Sequence, residues 1–300
     1  MSEAYIIDAV RTPRGIGKPG KGALSHLHPQ HLAATVLKAL KDRNNLNTSE
    51  VDDIIWSTST QKGKQGGDLG RMAALDAGYD IKASGMTLDR FCGSGISSVN
   101  LAAATVMSGM ADLVVAGGTE MMSYTATMAD PRTPPFMDAG NLRLRARHPQ
   151  SHQGVCADAI ATLEGISRVD LDALALESQV RADKAIKGGH FDRALVPVYK
   201  EDGSLALDRE EFPRPQTTAE GLAGLKPAFE AMAEVKPNEE DAAERHKKVT
   251  AEFEEFRKQY APTYGDALRY LTHHYDDEGG VKVQGANKLK PSFIERRNRL

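Results

Sequence analysis

"LDRFCGSGISSVNLAAATVMSGMADLVVAGGTE", residues 88–120, reads as a strand end, a tight turn, a helix and a second strand. The β-favouring "SGMTLDRF" leads into Cys92, and the glycine-broken turn Gly93-Ser94-Gly95 opens a helix of small residues that runs to about Gly109. "ADLVVAGGTE" is then a short apolar run with the length of a buried strand. A strand joined through a helix to the next strand is the unit from which parallel sheets are built. Cys92 falls at the carboxyl end of the first strand, where such folds gather their sites.

Outward from this stretch the same alternation holds. "AYIIDAV" (4–10) is a β-favouring run stopped by the basic Gly/Pro loop "RTPRGIGKPGKG". "HPQHLAATVLKALKDRN" sets Leu32, Val36, Leu37 and Leu40 on one helical face, and "VDDIIWSTS" (51–59) reads as the next strand. A glycine-rich loop and a short helix through "RMAALDA" follow. The predicted fold is α/β, a mostly parallel sheet with helices on both faces. From Ser123 to about Ser151 the pattern gives way to Met, Pro, Arg and Thr, a long surface excursion of the kind that often carries function.

"GISRVDLDALALESQVRADKAIKGGHFD" restores a helix, with Ser167 as N-cap and "KGGH" as its stop. "ALVPVYKEDGSLALDREEFPRP" reads as a hairpin around Asp202-Gly203. After about Pro237 the composition turns to charge. "NEEDAAERHKKVTAEFEEFRKQY" aligns Val249, Phe253, Phe256 and Tyr260 on one helical face, and the tail from Gly279 is basic and loosely held. The organisation expected is an N-terminal domain over 1–122 that carries Cys92, a loop domain over 123–236, and a charged tail, helical or irregular, over 237–300.

Three hundred residues with 40% hydrophobic side chains suffice for a real core, and 38 basic against 41 acidic residues leave a net charge of −3. That balance gives no electrostatic reason to expect nucleic acid or an anionic membrane as partner. No segment approaches the ~20 apolar residues of a membrane span, and the N-terminal stretch is too acid-interrupted for a signal peptide. A cytoplasmic location is expected. Two cysteines, Cys92 and Cys156, make neither a disulfide framework nor a Cys-rich zinc site.

A thiol becomes an effective nucleophile beside a helix N-terminus, a cation or a histidine. Cys92 has the first of these by position, and the small residues 93–95 would leave N–H groups of the first turn open to the sulfur and to an oxyanion beside it. The alternative is a small apolar residue filling a tight strand–helix junction, the commoner fate of a free cysteine.

The blocks "DAVRTPRG", "DRFCGSGISSVNLAAATVMSGMADLVVAGGTEMMS", "HQGVCADAIA", "ISRVDLDALALESQVRA", "FDRALVPV" and "TTAEGLAGLKPAF" occur in that order over about residues 4–229. In order and spacing they resemble the first half of a thiolase, closer to the degradative than to the biosynthetic type. The resemblance implies that Cys92 attacks the 3-keto carbonyl of a 3-ketoacyl-CoA, and that coenzyme A, a co-substrate rather than a bound cofactor, splits the resulting thioester. It implies a CoA-binding role for His152 in "SHQGV" and contact between Arg214 in "PRPQTT" and the nucleotide end of CoA. Gly221 stands where the family often has a serine near CoA. Cys156 reads as packing. Homodimers or homotetramers are the family's usual assemblies.

The same resemblance stops short of a second half. There the family places a Gly-His-Pro histidine, a water-holding asparagine and a Cys-x-Gly-Gly-Gly cysteine, and none of these motifs follows Phe229. A C-terminal region truncated or altered at the gene level, a divergent protein with other partners, and a subunit completed by a second chain are the three explanations. His273 or His274 could substitute for the missing base, while "HHYDD" as a metal cluster is the weaker reading. Two functions therefore stand: a thiolase-type acyltransferase, or a catalytically incomplete CoA-binding or assembly protein.

Overall fold

The computed structural model describes residues 3–128, 137–148 and 151–230, with two short strand segments at 274–275 and 281–282. Along the first part of the chain α1 (Pro29–Arg43), β1 (Asp53–Ser57), α2 (Leu69–Asp76), β2 (Met86–Leu88), α3 (Ser94–Met107) and β3 (Val114–Gly118) alternate. The strands form one parallel sheet in the order β2-β1-β3, with Trp56 opposite Thr87 on one side and Gly117 on the other. Their carboxyl ends therefore share one edge, and the turn before α3 rises from it.

Each face of the sheet is covered by a different helix set. Ile54 and Trp56 pack with Ala33, Ala34 and Leu37 of α1 and with Leu69, Ala73 and Ala74 of α2. By the alternation of a strand, Ile55 and Ser57 point the other way, toward the face that α3 covers. A Cβ at Gly70 would come within 2.6 Å of Trp56 Cβ, so glycine there lets α2 settle onto β1. The apolar face expected for α1 is real but divided. Leu37 is fully buried and Val36 and Leu40 pack on the same core, whereas Leu32 joins Leu24, Leu27, Met121, Val198 and Leu207 in a second cluster.

Helix α3 carries apolar side chains on its outer face as well, yet buries only Ser94, Ser98 and Ala102, one residue per turn against the sheet. Ile96, Val99 and Met107 are 71%, 43% and 48% exposed. A helix hydrophobic all round is usually enclosed. In this chain an open apolar stripe instead continues from Cys92 along the helix.

The run 4–10 is not a strand. Arg11 alone bridges, its N–H donating to Ala194 O at 2.8 Å and its carbonyl accepting from Val196 at 2.9 Å, and Tyr5, Ile6 and Ile7 are each more than 70% exposed. Among the described residues no sheet edge is paired with this run, and a strand exists only where an edge completes its hydrogen bonds.

Beyond β3 come α4 (Met122–Thr125), α5 (Leu142–Arg147), α6 (Gln153–Glu164), α7 (Arg168–Lys187), β4 (Val198–Tyr199), β5 (Leu205–Leu207), α8 (Ala219–Ala223), and the antiparallel pair β6 (His274–Tyr275) and β7 (Val281–Lys282). The surface excursion from Ser123 thus holds short helices. Ser167 caps α7 reciprocally with Asp170, and the helix ends at Gly188-Gly189, the second at φ +68°. β4 and β5 are the expected hairpin, with Gly203 at φ +81° in its turn. The helix expected over 238–260, His273 and, apart from β7, the basic tail lie outside the described residues.

Two compact units result, Met1–Ala129 with Gln179–Pro215, and Asp130–Ser178 with Gln216–Leu300. The sequence-based division at 122 and 236 follows composition, whereas these units follow packing. Val198 and Leu207 enter a core of the first unit. Glu211 accepts the N–H groups of Ile16 and Ala23, and Glu210 pairs with Arg11 and Arg14. Among the described residues no helix is long and apolar enough to cross a membrane.

Candidate active site

Cys92 stands exposed between the end of β2 and the first turn of α3. The chain reaches it through Phe91, which takes φ +49°. A bulky residue held in this left-handed region costs of order 1 kcal/mol or more and persists only where its surroundings impose it. Three bonds do so here. The Phe91 N–H donates to Asp89 Oδ1 at 2.7 Å, and the Phe91 carbonyl accepts from both the N–H of Ser94 at 3.0 Å and its hydroxyl at 2.6 Å. Ser94 Oγ also accepts the Arg90 N–H at 2.6 Å, and the residue is 4% exposed.

The glycines beside the cysteine matter less than their spacing suggests. Gly93 has φ −85°, a Cβ there would meet nothing nearer than Arg90 O at 3.4 Å, and one at Gly95 would meet nothing within 4 Å. Phe91, not a glycine, makes the turn. The N–H groups of Gly93 and Ser94 are spent on the carbonyls of Arg90 and Phe91, at 3.1 and 3.0 Å. Among the described residues, the N–H groups of Gly95 and Ile96 have no such bond from outside the helix, so they are the open donors of the first turn.

The neighbouring strand ends are organised by a buried amide and a carboxylate. Gln65, fully buried, donates to Thr58 Oγ1, Thr60 O and Glu120 Oε1, each at 3.1 Å, and accepts the Met121 N–H at 2.7 Å. Glu120 Oε2 receives the Ser59 N–H and hydroxyl and the Thr58 hydroxyl. Burial pushes the Glu120 carboxyl up, but the hydrogen bonds from Ser59, Gln65 and Thr58 outweigh it and hold the group below the usual glutamate range.

His152 lies in the second compact unit, exposed, as the N-cap of α6. Its Nδ1 accepts the Gly154 N–H at 3.1 Å, so the neutral ring carries its proton on Nε2 and keeps that N–H to donate. The Phe229 ring lies 5.1 Å from the imidazole, centroid to centroid, and a Cβ at Gly154 would run into it. Cys156 is exposed one turn into α6, where packing was expected. Arg214 belongs to the first unit, is exposed, and its N–H donates to Gln179 Oε1 at 2.7 Å. Gly221 sits in α8, where an added Cβ would meet only Thr218 Oγ1, at 3.2 Å. Among the described residues no three His, Cys, Asp or Glu side chains gather as metal ligands.

A cysteine on a strand-to-helix elbow, at the carboxyl edge of a parallel sheet and one residue before the N-cap of α3, is suited to acyl transfer. Residues 4–239 match the family model described as "Thiolase, N-terminal domain". The chain belongs to the thiolase family. It is 36% identical over 237 residues to the steroid 3-ketoacyl-CoA thiolase FadA6 of Mycobacterium tuberculosis, covering 77% of this chain and 57% of that protein. A beta-ketoadipyl-CoA thiolase of Acinetobacter baylyi is 35% identical over 75% of this chain and 60% of its own length. A 3-ketoacyl-CoA thiolase of Colwellia psychrerythraea is 32% identical, over 77% and 59%. The matched part of this chain thus spans under two thirds of these thiolases.

Sequence reasoning picked out Cys92 and missed the residues that shape its turn. Asp89 and Ser94 stand two before and three after Phe91, the spacing of side chains that bond a local backbone turn. Gln65 and Glu120, in a glycine-rich loop and after a Gly-Gly pair, left no periodic signal.

Proposed function

We propose that this chain provides the nucleophile of a 3-ketoacyl-CoA thiolase. The observation that carries the reading is the exposed Cys92 on its elbow in a chain of this family. Cys92 sulfur adds to the 3-keto carbonyl, and the bond between C2 and C3 breaks. C2 takes a proton and leaves as acetyl-CoA, or propionyl-CoA from a 2-methyl substrate, while the shortened acyl group stays on Cys92 as a thioester. The thiol of a second CoA then attacks, the acyl group passes to it, and its proton returns to the Cys92 sulfur. Gly95 and Ile96 supply N–H donors for the oxyanion of each addition.

His152 serves as a CoA-binding donor through Nε2, and Arg214 meets the nucleotide end of CoA. A reducing, cytoplasmic location agrees with two free, exposed thiols. A homodimer or homotetramer belongs to the same reading. The second reading is a CoA-binding or assembly protein without catalysis.

Thiolysis of acetoacetyl-CoA and of longer 3-ketoacyl-CoAs, with Cys92→Ala beside the wild type, decides between them. Turnover in the wild type that the substitution abolishes supports the thiolase. Equal rates in both proteins would remove Cys92 from the chemistry. Absent turnover with CoA binding by calorimetry selects the second reading, and absent binding at millimolar CoA rejects both.

A further inference from the structure

The Phe91 turn is imposed rather than intrinsic, and the side chain that imposes most of it is Ser94. We propose that Ser94 is the positioning residue for Cys92, its hydroxyl locking the left-handed elbow that sets the thiol just ahead of the first turn of α3. The inference rests on the reading of Cys92 as nucleophile, but its test does not use thiolase chemistry.

Phenylalanine at φ +49° returns to an ordinary backbone conformation unless it is held. Ser94 Oγ accepts the N–H of Arg90 and donates to the Phe91 carbonyl, so one hydroxyl ties the Asp89–Arg90 peptide to the Phe91–Cys92 peptide across the strained residue. Ser94 is 4% exposed, so its hydroxyl is shut off from solvent and committed to these two bonds. One turn on, Ser98, fully buried, lies 3.0 Å from Gly117 O and fixes the helix to β3. The helix is thus anchored to the sheet by one serine and the elbow to the helix by the other. Loss of the Ser94 hydroxyl leaves the helix in place and frees the elbow, so Cys92 is no longer held in one place ahead of the first turn of α3.

The second cysteine makes the measurement internal. Cys92 and Cys156 are both exposed, and iodoacetamide labels both in one molecule, each followed by mass spectrometry of its peptide. Ser94→Ala is expected to lower the Cys92-to-Cys156 rate ratio about threefold, the scale of a helix-terminus contribution. Phe91→Gly adopts the turn without strain, so the double variant F91G/S94A is expected to recover most of the ratio. An unchanged ratio in a folded Ser94→Ala protein overturns the proposal, as does an equal fall in the double variant. Should Ser94→Ala unfold, both thiols react alike; a double variant that refolds and restores the ratio then supports the proposal, and one that does not overturns it. A protein that labels as expected but cleaves no 3-ketoacyl-CoA would count against the thiolase reading alone.

Discussion

The hydroxyl of Ser98 lies 3.0 Å from the carbonyl oxygen of Gly117 and 2.8 Å from that of Gly95, so the first turn of α3 is fastened to β3. The same Gly117 oxygen accepts the Ser57 hydroxyl at 3.0 Å, and a Cβ on Gly117 would come within 2.5 Å of Trp56 Cζ3. Strand, strand and helix therefore meet at a point that admits no larger side chain. Ser98→Ala keeps the Ser57 bond to Gly117 and is expected to cost only about 1 kcal/mol, while Ser98→Leu forces extra volume into the contact and costs about 1–3 kcal/mol. Ile96→Ser, on the exposed face, should stay within about 0.5 kcal/mol. Urea unfolding of the three variants orders them.

Glu120 ties the ends of β1 and β3 through charged hydrogen bonds. Its carboxyl is held below the ordinary glutamate value, so its contribution is complete above the unfolded value of about 4.3 and is lost as pH falls through the lower folded one. Glu120→Gln turns an amide N–H₂ toward donors and is expected to cost about 1–3 kcal/mol at pH 7. The gap between wild type and variant should narrow at pH 3, below the unfolded value, as the native carboxyl loses its charge. Urea titrations at both pH values measure it, and a gap that stays constant contradicts the assignment of charge to Glu120.

What was legible beforehand follows from locality. The alternation of strand and helix, the cap at Ser167 and the stop at Gly188-Gly189 are written within a few residues of where they act. The run 4–10 has the composition of a strand, but a strand depends on a partner edge that its own residues do not specify. The Phe91 turn was hidden because phenylalanine is among the last residues expected at positive φ; its cause lies in Asp89 and Ser94. The place of Cys92 between strand and helix was legible by position, whereas His152 and Arg214 entered as candidates only through family resemblance.

Tyr79 offers an alkaline counterpart to Glu120. It is 5% exposed, donates to Leu37 O at 3.0 Å, and is pushed up to about 12 by burial, with the Asp42 charge adding to it. A raised value means that its contribution is whole below pH 10 and is lost as pH rises from there toward 12. Absorbance titration should show one tyrosine that ionises about two units late. Tyr79→Phe should remove that late step and cost about 1 kcal/mol at pH 7.

Gly154 separates packing from helix propensity at His152, the histidine proposed to meet CoA. An alanine there favours α6 by up to about 1 kcal/mol, yet its Cβ would run into the Phe229 ring that flanks His152. If the contact governs, Gly154→Ala displaces Phe229, unsettles the cap made by His152 Nδ1, and lowers both stability and CoA affinity. Phe229→Ala alone removes the ring and leaves the cap without its neighbour. The double variant has no collision and keeps the gain in propensity, so it should be more stable than Gly154→Ala by about 1 kcal/mol. Thermal unfolding with calorimetry of CoA binding measures both quantities. A Gly154→Ala protein as stable as wild type, with unchanged CoA affinity, would show that the ring yields freely and that Phe229 does not hold His152.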